Sequence, residues 1–255
     1  MAKRYIGLEI YDFKTLNDII ENNLCDGLIL GDLFCENKMF ENGNNDMVRC
    51  FELLSKTKIE IVYQLPYYIT SRNRTQILNN LKTLYALKPD SIILITDVGF
   101  ADLIKKTFNS FRLTWSSMQR NRVYKTNDYT FEFLKELGIN FIETEEKEKI
   151  ETIRKCGLAP WLVCGYTRYK TFGRVCYAQQ QLGQTLPDCR KLCMESTYSL
   201  KEEKSNYEMT IDGYILGKKL DYTNCLNDDN ETVCIYAKTY EDLRKILKEI
   251  HDEKI

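Results

Sequence analysis

Three cysteines late in the chain stand out: Cys176, Cys189 and Cys193, spaced Cys-x12-Cys-x3-Cys. Thiols this close in sequence form disulfides, bind a metal or carry redox chemistry. A fourth, Cys35, lies far upstream in Leu30-Gly31-Asp32-Leu33-Phe34-Cys35. It follows an apolar run that reads as a strand. Three thiolates from one loop and one from a strand end suit zinc or an iron–sulfur cluster.

The elements that must position these thiols follow a regular rhythm. Apolar, β-rich runs at Tyr5–Ile10, Gly27–Gly31, Ile59–Leu65, Ser91–Thr96, Arg112–Ser116, Asn140–Thr144 and Trp161–Cys164 read as strands. Between them, Lys14–Asn23, Met47–Lys56, Arg72–Leu87, Phe100–Phe108, Tyr129–Leu137 and Lys147–Lys155 read as helices. Gly138 and Gly157 end the last two. Near-continuous apolar strands alternating with helices predict a parallel sheet covered by helices. Seven such units in residues 1–165 fit an α/β (β/α)8 TIM-like barrel better than an open sheet. The rhythm breaks over residues 166–255. Residues 165–205 read as loop-rich and carry the cysteine cluster. Short strands are expected at Glu208–Ile211, Tyr214–Leu216 and Val233–Tyr236, and a final helix at Thr239–Glu253. No linker or repeat interrupts the chain, so a single domain is expected.

Composition narrows the chemistry. The chain has one histidine, His251, in a polar helical pattern. Multi-histidine metal sites and ordinary histidine-dependent hydrolases are thereby excluded. A net charge of −1 without a basic stripe gives no sign of phosphate neutralisation, so nucleic acid is not an expected partner. The N-terminus lacks a signal core and no apolar run of membrane-spanning length occurs, so a cytoplasmic protein is expected. In that compartment ten cysteines do not read as a disulfide framework. Cys25, Cys50, Cys156, Cys164, Cys225 and Cys234 read as small apolar residues, with Cys164 and Cys225 the first exceptions to test.

In such a barrel the active face lies at the C-terminal ends of the strands. Glu9, Asp32, Asp97, Ser116, Ser117, Glu143 and Glu145 are candidates by position. Each has an alternative use as a helix cap or loop contact. The four cysteines converge over the same mouth if they follow strands two and seven.

The run Gly173-Arg174-Val-Cys176 … Asp188-Cys189-Arg190-Lys-Leu-Cys193 resembles the motif of the U32 family, the collagenase-like peptidases. Thr114-Trp-Ser-Ser-Met-Gln119 … Asn127 … Leu137-Gly138 is similar to that family's Ser-Thr-Gln … Asn … Leu-Gly segment. Thr96-Asp97-Val-Gly99 resembles its Gln-Asp-Leu-Gly strand end. The cysteine spacing is similar to the UbiV-type branch. That resemblance implies a barrel and a 4Fe-4S cluster on Cys35, Cys176, Cys189 and Cys193, with zinc as the alternative. It implies oxygen-independent hydroxylation of a small molecule, quinone precursor or nucleobase, some members taking the oxygen from prephenate. It also implies a paralogous U32 partner or self-association. Val175 is inserted into the family's Gly-Arg-Cys. Its Arg-Glu pair after strand six is replaced by Glu143-Thr-Glu145-Glu146.

Asp97, Gln119, Asn127 and Arg174 are expected to bind substrate, Arg174 through a bidentate carboxylate contact. Pairing of Arg174 with Asp188 or Asp97 is the alternative. A non-catalytic iron–sulfur partner subunit is the second reading. A peptidase is the third, and no nucleophile–base pair in the sequence supports it.

Overall fold

The computed structural model describes residues 3–8, 12–31, 44–66, 69, 71–116, 128–171, 197–201, 208–212, 215–219 and 231–252. Seven strands alternate with helices: β1 (Arg4–Leu8), α1 (Phe13–Glu21), β2 (Gly27–Leu30), α2 (Asn44–Ser55), β3 (Glu60–Gln64), α3 (Ser71–Leu87), β4 (Ile92–Ile95), α4 (Val98–Thr107), β5 (Arg112–Trp115), α5 (Asp128–Glu136), β6 (Ile139–Thr144), α6 (Ile150–Lys155) and β7 (Ala159–Thr171). Then come β8 (Thr197–Lys201), β9 (Glu208–Asp212), β10 (Ile215–Lys219), β11 (Thr232–Ala237) and α7 (Tyr240–Asp252).

Strands β1 to β7 pair in chain order, all parallel. Strand β11 pairs in parallel with both β7 and β1 and closes the sheet. The result is an eight-stranded α/β barrel of the TIM type, as the rhythm predicts. The eighth stave is the segment that read as a short strand at Val233–Tyr236. Its barrel role is invisible locally, because both of its neighbours lie far away in sequence.

Strand β7 also departs from expectation. The apolar run ends at Cys164, but the strand continues to Thr171. Its second half leaves the barrel wall and pairs antiparallel with β10, which carries β9 and β8 in turn. Strand β8 lies in a stretch expected to be loop.

Period-two alternation sorts the side chains. Ile6, Leu28, Ile61, Ile93, Leu113 and Ile142 face outward and pack with helix residues such as Leu16, Phe51, Leu81, Ile104 and Phe131 in one large core. Tyr5, Ile29, Val62, Ile92, Leu94, Trp161, Val163 and Cys234 face inward and form a second cluster. Tyr5 and Trp161 stack there with centroids 4.3 Å apart, and Phe141 lies 4.9 Å from Trp161. The lumen is therefore filled by side chains over most of its height.

Helix starts are fixed by local chemistry. Asp12 accepts from the Thr15 amide at 2.6 Å to open α1, and Asp97 accepts from the Phe100 amide at 2.7 Å to open α4.

Candidate functional site at the barrel mouth

Both ends of the lumen carry a carboxylate, half-buried at one and fully buried at the other, and their surroundings differ. At the N-terminal end sits Glu60. Its Oε2 accepts from the Tyr5 hydroxyl at 2.5 Å and from Lys3 Nζ at 2.9 Å. Its Oε1 accepts from an Arg112 guanidinium nitrogen at 2.7 Å. Burial alone would raise the Glu60 pKa. The Tyr5, Arg112 and Lys3 donors outweigh it and hold the carboxyl at about 2. Burial and the neighbouring Glu60 charge push the Tyr5 phenol upward. Glu60 is thus fully engaged in closing the barrel floor.

The C-terminal end is the face where this architecture places its chemistry. Successive lumen-facing positions on β5 are Arg112, Thr114 and Ser116, and on β6 they are Phe141 and Glu143, by alternation with the outward Leu113, Trp115 and Ile142. The same alternation turns Gln64 of β3, Thr96 beyond β4 and Tyr236 of β11 inward. Glu143 is 2% exposed. Its Oε2 accepts from Ser116 Oγ at 3.0 Å. Its Oε1 accepts from the Tyr236 hydroxyl at 2.5 Å, a contact across the lumen between residues 93 apart in sequence. The Tyr236 ring reaches inward over Gly7. A Cβ there would lie 2.7 Å from the ring carbons, so a larger residue would displace it.

The rim above is tightly built. Gly31 (φ +116°) and Gly165 (φ +90°) bring the backbone against neighbouring strands. An added Cβ would stand 2.1 Å from the Gln64 carbonyl oxygen in one case and from that of Tyr236 in the other.

Of the substrate residues expected from sequence, Asp97 is described. It is exposed and spends its carboxylate capping α4. Gln119, Asn127 and Arg174 lie outside the described residues, as do the expected metal ligands Cys35, Cys176, Cys189 and Cys193. Glu9, Asp32, Ser117 and Cys225 also fall outside them. The positional candidates Ser116 and Glu143 are brought into direct contact. Tyr236 was missed, and nothing near it in sequence announces the pairing.

Five cysteines are described, and none of them is in a disulfide. Cys50, Cys164 and Cys234 are fully buried. Burial pushes the thiols of Cys25 and Cys50 up to about 12, which leaves them protonated and inert. Among the described residues no group of three or more His, Cys, Asp or Glu is placed to hold a metal ion, and no helix is long and apolar enough to cross a membrane.

The expected thiols belong to segments that follow β2 and β7, strands separated around the wall by β1 and β11, three strand spacings or about 14 Å. The segments themselves lie outside the described residues.

No family model matches the chain, and no curated protein matches it. The fold is similar to that of solved structures. The U32 peptidase Mk0906 aligns with a TM-score of 0.58 at 10% identity over 94% of both chains. N-acetylneuraminate lyase from Fusobacterium nucleatum aligns at 0.48 and 17% identity, over 64% of each chain. The putative copper homeostasis protein CutC from Streptococcus agalactiae aligns at 0.48 and 11% identity, over 71% of this chain and 92% of that one. The likeness to Mk0906 establishes a shared barrel architecture along nearly the whole chain.

Proposed function

We propose that the chain is an iron–sulfur protein of the U32 type that takes part in oxygen-independent hydroxylation of a small molecule. The observation that supports it most is topological. The strands that precede Cys35 and the Cys176, Cys189, Cys193 group, β2 and β7, run parallel and point their C-terminal ends to the same face of a closed barrel. The fold likeness to Mk0906 over 94% of the chain agrees with that reading. In it, the four thiolates hold a 4Fe-4S cluster, which when bound supplies one-electron transfer. The barrel mouth beneath takes the substrate. Arg174 supplies a planar fork for a carboxylate, and Gln119 and Asn127 supply amide contacts. Asp97 stays with α4 and serves as a cap. A homologous subunit or a second copy of the chain shields the cluster.

Anaerobic purification followed by iron, sulfide and zinc analysis tests the reading. About four irons and four sulfides per chain are expected, with an EPR signal after reduction. Replacing Cys35, Cys176, Cys189 or Cys193 by Ala removes most of the iron, whereas Cys50→Ala retains it. Stoichiometric zinc without iron would sink the proposal. Arg174→Lys is expected to keep the iron and weaken binding of the substrate carboxylate, since Lys lacks the bidentate geometry.

A further inference from the structure

We draw no further inference here: the strongest candidate, the exposed apolar pair Tyr129 and Phe133 one turn apart on α5, is a surface patch, and nothing in the structure shows what covers it.

Discussion

The two carboxylates of the lumen sit in contrasting settings at opposite ends of one barrel. Both accept a tyrosine hydroxyl at 2.5 Å, Glu60 from Tyr5 and Glu143 from Tyr236. Glu60 is further clamped by Lys3 and Arg112, and it lies at the N-terminal end, the end of this architecture that serves stability. Glu143 is deeper, is held by hydroxyls of two different strands, and lies toward the end where loops can bring a ligand. A paired charge at the floor is a fastening. The buried carboxylate below the mouth is tied instead to the hydroxyls of Ser116 and Tyr236.

The largest effect that could break this contrast is on folding stability. Glu60→Ala leaves Arg112, Lys3 and Tyr5 without their shared acceptor and should cost about 3 kcal/mol in urea unfolding. Tyr236→Phe removes one hydrogen bond and should cost about 1 kcal/mol. If the second variant proved more destabilising than the first, the mouth cluster would be the structural one and the contrast would fail.

Acid titration sharpens the same point. The folded Glu60 carboxyl is depressed to about 2, below its unfolded value. Its contribution is therefore present in full above the ordinary carboxylate range and is lost as pH falls through that range toward about 2. Glu60→Gln should flatten the stability profile over that window. The smallest effect is expected at Asp97. Asp97→Ala removes the α4 cap and should cost about 1 kcal/mol, with no change in ligand affinity. A clear loss of affinity there would return Asp97 to the binding site.

What was legible in the sequence follows from what is local. Strands β1 to β6 were recoverable to within a few residues because each is a short apolar run bounded by turn residues. The stop positions Gly138 and Gly157 were visible for the same reason. The Asp97 cap was foreseeable from its position three residues before Phe100. What was missed depends on distant partners. Nothing in Thr232–Ala237 says that it joins β7 to β1, because a stave is defined by its neighbours. The polar second half of β7, Tyr166–Thr171, hid its strand character because its partner is an antiparallel strand rather than the apolar core. Glu143 could be placed at a strand end, but its hydrogen bond to Tyr236 spans 93 residues. The cysteine spacing, by contrast, is a local pattern, and it falls on residues outside the described ones.

The late arrival of β11 also shapes how the molecule must fold. Until residues 232–237 are available, β1 and β7 are two bare edges of an open, curved sheet. Such edges invite pairing with other chains. Ring closure then joins the first strand to one of the last, so its slowest contacts are among the most distant in sequence, which favours slow folding. Residues 172–231 lie between the two staves of that seam. Lengthening such a connection adds little to its closure entropy, about 0.6 kcal/mol per doubling. The seam between β7 and β11 is therefore a place where this architecture can accept a large insertion without losing its ring, and β8, β9 and β10 occupy it.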